Sequence, residues 1–230
     1  MKEDCAALGF SVEKAHETQL RLSRRLILDD RLPKRIRFVA GVDVAYTRNL
    51  SIGAVAVMKY GSLELVESAT ATCETRFPYV PTLLSFREIP PAVSCIRKLQ
   101  IHPDILLVDG QGLAHPYRCG FACHLGLVTG SPTIGVAKSR LFGEVKQGSE
   151  RPVSFLQHEK AIVGAVVQTR SGCRPIYVSV GHMVSLETAI QIVKHCVQGN
   201  RIPEPVRKAH QIAAAEKRKI NNALQQTSKP

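Results

Sequence analysis

The chain has 230 residues, 44% of them hydrophobic, enough to bury one substantial core, and no stretch approaches the roughly 20 apolar residues of a membrane span. Its 31 lysines and arginines against 19 acidic residues give a net charge of +12 and a pI near 9.6, the footprint of a protein that meets a polyanion, though basic surfaces also serve solubility or binding to acidic membranes. Seven scattered cysteines without a CxxC pair mark neither a zinc site nor a redox centre; Cys119, Cys123 and His124 fall close together but lack a fourth ligand, so no zinc is expected. The N-terminal MKEDCAALGF carries no apolar signal run. A cytoplasmic chain with no membrane contact and no obligate protein partner is therefore expected, residues 1–230 forming a single domain whose polar end, 225–230, is disordered.

From Ser11 to Leu28, Val12, Ala15, Leu20, Leu22 and Leu26 alternate with charged residues as on an amphipathic helix capped by Ser11. Ile36 to Tyr46, Ile52 to Tyr60 and Leu63 to Ala71 then read as three strands of an antiparallel meander, with Lys59-Tyr60-Gly61-Ser62 as a hairpin connection. Leu83 to Leu99 has a helical pattern that Pro90 and Pro91 are expected to kink or split, and Ile105-Leu106-Leu107-Val108 is a buried strand. A helix from Arg118 to Val128 follows, then strands at Thr133 to Val136, Ala161 to Thr169 and Ile176 to Val180. Two helices close the chain, Ser185 to Val197 and one after Pro203 and Pro205 reaching about Leu224. Hairpin strands followed by alternating helix and strand define an α/β fold, a mixed sheet covered by helices.

Asp43 interrupts Val39-Ala40-Gly41-Val42 and Val44-Ala45, so a carboxylate sits inside an apolar strand, where an unpaired charge is expensive. Asp109 ends the Ile105 strand, at the carboxyl edge where open α/β sheets place ligands. Glu88 follows Leu83, Leu84 and Phe86 on a helix and can project toward the same edge. Three gathered carboxylates repel one another unless a cation neutralises them, and hard oxygen ligands suit Mg²⁺ or Mn²⁺, which points to metal-assisted phosphodiester hydrolysis. Lys138, directly after a short strand, is placed to reach a phosphate or the attacking water. His210 can share a helix face with Arg207 and add a ligand, a proton shuttle or a phosphate contact.

These segments carry a resemblance. Gly41-Val42-Asp43-Val44-Ala45-Tyr46, Phe77-Pro78-Tyr79-Val80-Pro81 running on to Phe86-Arg87-Glu88, and Asp109-Gly110-Gln111-Gly112 with Ala114-His115-Pro116 resemble the endonuclease V family. So do Gly135-Val136-Ala137-Lys138-Ser139, Val178-Ser179-Val180-Gly181-His182, and Arg201-Ile202-Pro203-Glu204-Pro205 with Arg207 to His210. The resemblance implies a ribonuclease H-like fold, an initial antiparallel meander in the mixed sheet, and hydrolysis of the second phosphodiester bond 3′ to a deoxyinosine, leaving 3′-hydroxyl and 5′-phosphate ends. Carried over by motif, Asp43, Asp109 and Glu88 hold the metal, and Lys138 and His210 support catalysis. Tyr79 becomes a wedge that enters the duplex, held by Pro78 and Pro81, with Leu84, Gly110, Gly112 and His115 in the base pocket or on DNA.

An inserted side chain fills the gap left by an extruded base, and a mispaired deaminated base is cheaper to extrude than a paired one. The sequence departs from the family pattern at Thr82, where the family most often has glycine, and at Tyr117, where arginine is more usual. Two alternatives remain open: a ribonuclease acting on inosine-containing RNA, and a non-catalytic protein that binds and bends damaged duplexes.

Overall fold

A computed structural model of the chain describes residues 11–146 and 153–226. Cys5 and residues 227–230 of the tail lie outside the described residues, whereas Gln225 and Gln226, expected to be disordered, continue the last helix. The elements in chain order are α1 (Val12–Ser23), β1 (Phe38–Thr47), β2 (Leu50–Lys59), β3 (Leu65–Glu74), α2 (Leu84–Ile96), β4 (Ile105–Asp109), α3 (Phe121–Thr129), β5 (Thr133–Ala137), β6 (Glu144–Val145), β7 (Val153–His158), β8 (Ala161–Val167), β9 (Ile176–His182), α4 (Leu186–His195) and α5 (Glu204–Gln226). Among the described residues the strands form one mixed sheet ordered β3-β2-β1-β4-β5-β9-β8-β7-β6. Strands β1, β4 and β5 run parallel to one another and every other pairing is antiparallel. No helix among the described residues is long and apolar enough to cross a membrane.

Side chains alternate across the central strands and so divide the core into two layers. Ala40, Val42, Val44, Leu106 and Val108 pack under α2 and α3, while Val39, Ile105, Leu107, Ile134 and Val136 pack with α4 and the first turn of α5. Helix α5 reaches the sheet because Gly41 has no side chain: a Cβ there would lie 1.9 Å from the Pro205 carbonyl oxygen.

The expected helix through Leu28 stops at Ser23, because the backbone of Ile27 is used by the end of β9, its N–H donating to His182 Nδ1 at 3.2 Å and its carbonyl accepting from Met183 at 2.7 Å. Ser11 caps α1 as its hydroxyl chemistry predicts, accepting from the Lys14 N–H at 3.2 Å. Leu63, expected in a strand, stands at φ +54° in the hairpin turn, and β3 begins two residues later. The expected split of α2 does not occur, since Pro90 and Pro91 both lie inside one continuous helix. Tertiary packing compensates for the two missing amide donors: Pro91 is buried against β2 so closely that a Cβ on Gly53 would lie 2.4 Å from its carbonyl oxygen. Helix α3 begins at Phe121 rather than Arg118, which stands at φ +53° and cannot open a right-handed helix. Strands β6 and β7 carry no sequence signal of their own; β7 is supported by pairing with β8, and β6 adds to the edge by pairing with β7.

Gly41→Ala is expected to lower stability by at least about 2 kcal/mol, because the added methyl group meets rigid backbone rather than a side chain that can move. Gly61→Ala, with nothing within 4 Å of its added Cβ, is the matched control, and comparison of urea midpoints checks the difference.

Candidate active site

The β1–β4 register builds the centre of the site. The two parallel strands pair from Val39↔Ile105 to Val42↔Val108, and the next residues along each are Asp43 and Asp109. Both side chains fall on the α5 face. Val44 N–H donates to Asp43 Oδ1 at 2.8 Å, and His210 Nδ1 on α5 lies 2.8 Å from Asp43 Oδ2. On the other side Lys138, the first residue beyond β5, donates from Nζ to Asp109 Oδ2. Two mutually repelling carboxylates, 8% exposed in Asp43 and half-buried in Asp109, thus each face a basic side chain. Burial first and the charge of Asp43 second push the Asp109 carboxyl above its ordinary range, with Lys138 and His210 acting in the opposite direction.

Among the described residues, Asp43, Asp109 and His210 form the group able to hold a metal ion, their ligand atoms all lying within 4.8 Å of one another. Glu88, expected as a ligand, stands outside that close triple. It enters from the opposite layer on α2, is only 6% exposed, and has its carboxyl held well above the usual range by burial first and then by the charges of Asp43 and Asp109. Arg207, three residues before His210 on the same helix as expected, pairs with Glu204, which accepts from its Nε at 2.9 Å.

A cavity of about 180 Å³ opens beside this centre, and Glu88 and Gly110 line it. Tyr79 stands at its mouth, 69% exposed on the loop before α2, and Pro81, Leu84 and His115 complete the wall on that side. Pro78 and Gly112 do not line it. Gly112 is required for packing, since a Cβ there would lie 2.1 Å from the Val180 carbonyl oxygen. Thr82 stands at φ +72°, a conformation that glycine adopts freely.

Several residues of the site escaped the sequence reading. Gln111 lines the cavity, donates to the Ser139 carbonyl at 2.9 Å, and keeps a buried Oε1 with no hydrogen-bond partner. The Arg87 guanidinium lies 4.7 Å from the centre of the Tyr46 ring and 5.8 Å from that of Tyr79, linking the exposed aromatic to the strand that carries Asp43. Arg201 donates to the Lys138 carbonyl at 2.6 Å and to the Pro175 carbonyl at 2.8 Å, pinning the backbone that presents the lysine. In the sequence, Arg87 and Arg201 are marked only by their place in Phe86-Arg87-Glu88 and Arg201-Ile202-Pro203-Glu204-Pro205.

A sheet of this topology, with two acidic strand positions side by side at a parallel edge, is the ribonuclease H-like fold. A family model described as endonuclease V matches residues 20–211. The endonuclease V of Thermofilum pendens is 44% identical over 209 residues, covering 90% of this chain and 89% of its own. The crystal structure of endonuclease V from Streptomyces avermitilis superposes with a TM-score of 0.85 at 38% identity, covering 92% of this chain and 95% of that one. Endonuclease V of Ciona intestinalis, solved in complex with a 24mer DNA containing an inosine followed by a ribo-adenosine, superposes with a TM-score of 0.81 at 31% identity, covering 91% and 98%. The chain belongs to the endonuclease V family.

Burial holds two histidines of this region neutral, His115 and His124 both falling from 6.5 to about 4. His115 matches that state, its Nε2 lying 2.9 Å from the Thr82 carbonyl, which can only accept, and its Nδ1 accepting from the Tyr117 N–H at 3.2 Å. A ring whose folded pKa is depressed favours the unfolded chain once protons are available. Stability is therefore complete above about pH 6.5 and falls as the pH drops toward 4, by roughly 1–3 kcal/mol per ring. Urea titrations at about pH 7.5 and about pH 5 check this, and His124→Gln should flatten part of the slope.

Proposed function

We propose that this protein is a metal-dependent endonuclease that cuts DNA beside a deaminated base. The reaction is hydrolysis of the second phosphodiester bond 3′ to a deoxyinosine, leaving 3′-hydroxyl and 5′-phosphate ends, carried out by the whole chain as one catalytic domain. The observation that carries this reading is that one buried residue, Glu88, belongs both to the acidic centre and to the wall of the adjoining cavity. A site for a base therefore lies directly beside a site for phosphodiester hydrolysis. The cavity is smaller than the roughly 300–1,000 Å³ of drug-sized sites and suits one planar ring system.

Asp43 and Asp109 offer hard oxygen ligands with His210 in reach, a set that fits Mg²⁺ or Mn²⁺, and such an ion supplies Lewis-acid stabilisation and an activated water. The protein's own residues arrange the substrate around that centre. Tyr79 projects into solvent and can fill the space of an extruded base, with Arg87 steadying its ring. Leu84 and Phe121 offer apolar surface to the extruded ring. Lys138, 43% exposed in its side chain, can leave Asp109 for a phosphate oxygen.

A labelled duplex carrying one deoxyinosine, incubated with and without Mg²⁺ and mapped to the nucleotide, tests the reaction; a cut elsewhere or no cut overturns it. Asp43→Ala and Asp109→Ala are each expected to lower nicking by roughly a thousandfold or more while much of the duplex binding survives. Undiminished cutting by either variant removes these residues from the centre. Tyr79→Ala should narrow the preference for lesion over normal duplex, and an unchanged preference would remove the wedge.

A second reading, cleavage of inosine-containing RNA, is favoured by the ribo-adenosine that follows inosine in the nucleic acid bound to the Ciona relative. Matched deoxyinosine and inosine oligonucleotides decide between them, because recognition of RNA requires a contact to the 2′-hydroxyl.

A further inference from the structure

Thr82 stands at φ +72° between Pro81 and the buried Leu83, in a backbone region that a β-branched residue rarely enters. Such a residue persists only where its surroundings over-determine it. Three side chains do so here. Gln19 of α1, fully buried, donates from Nε2 to the Thr82 carbonyl at 2.8 Å and to the Cys119 carbonyl at 3.1 Å. His115 Nε2 lies 2.9 Å from the same Thr82 carbonyl. His16, also on α1, has its Nε2 3.0 Å from Thr82 Oγ1. The Thr82 hydroxyl donates to the Pro81 carbonyl, so its oxygen is left to accept from His16.

The His16 ring is fixed in turn by stacking on Tyr117, with centroids 3.9 Å apart and planes 15° from parallel. Residues 16 and 19 share one face of α1. That face therefore grips the loop carrying Tyr79 through Thr82 and the loop before α3 through Cys119, and both loops line the cavity. Thr82 and Tyr117 are thus both held by the one His16 ring.

We infer that α1 is a bracket locking the two walls of the cavity together, with His16 as the positioning residue that keeps Thr82 left-handed and so holds the Tyr79 loop in shape. This inference rests on the function proposed above for its meaning, since the locked cavity is then the seat of the extruded base, but not for its geometry.

The test uses the full-length protein with His16→Ala, Thr82→Gly and the double variant. The first readout is hydrogen exchange at the Leu83 amide, which donates to the Val80 carbonyl at 3.0 Å within this loop. The second is the ratio of nicking rates on deoxyinosine and undamaged duplexes. His16→Ala is expected to speed Leu83 exchange by about tenfold, the order of one lost hydrogen bond, and to lower the nicking ratio by a similar factor. Adding Thr82→Gly should restore both, because glycine holds the same φ without support. A generic packing role for His16 would not be rescued in this way, so failure of rescue overturns the bracket. Wild-type exchange at Leu83 in His16→Ala overturns it as well. A wild-type protein that leaves a deoxyinosine duplex uncut overturns the proposed function instead, and the exchange data still judge the bracket.

Discussion

Two parallel strands in register, each ending its apolar run in an aspartate, impose the constraint to which the rest of this site responds. Asp43 and Asp109 arrive at the same level on the same face, where their charges repel in a partly desolvated setting. Each neighbouring element supplies part of the answer. Helix α5 brings His210 to Asp43, and it can do so because Gly41 lets the Pro205 turn lie directly on β1. The end of β5 brings Lys138 to Asp109, with its backbone held by Arg201 from the loop that launches α5. A divalent cation between the carboxylates would meet the same electrostatic demand, which is why the cluster suits metal chemistry.

The second layer of the fold gives that centre its neighbour. Helix α2 crosses the opposite face, burying Glu88 behind the two aspartates while its preceding loop carries Tyr79 outward. Arg87, between them in sequence, places its guanidinium near both the Tyr46 ring and the Tyr79 ring, so the exposed aromatic and the acidic strand share one support. The cavity lies where the α2 loop, the segment after β4 and the segment before α3 meet, and α1 clasps two of these from outside. Backbone precision in loops is costly to maintain, and here it is secured by hydrogen bonds to carbonyls rather than by regular secondary structure.

The strand pattern of the first half was legible because hydrophobic runs bounded by turn residues leave few alternatives: the meander, the parallel β4 and the capped α1 and α4 all have local signals. Local signals failed where tertiary partners decide. Pro90 and Pro91 read as a break, yet packing of Pro91 on Gly53 keeps α2 whole. Leu26 to Leu28 read as helix, yet the Ile27 backbone is claimed by the end of β9. Strands β6 and β7 have little pattern of their own; β7 forms against β8 and β6 against β7.

For the site, the sequence by itself determined which residues carry charge and on which element each sits, because an aspartate inside an apolar strand and an aspartate at a strand end announce themselves by the expense of burying them. Tertiary structure decided what those residues meet. That His210 rather than Glu88 joins the close triple, and that His16 and Gln19 reach Thr82 from 66 and 63 residues away, are outcomes of sheet register and helix docking. Such contacts leave no periodicity in the chain, since neither partner's identity depends on its sequence neighbours, and only the folded backbone brings them within hydrogen-bonding distance.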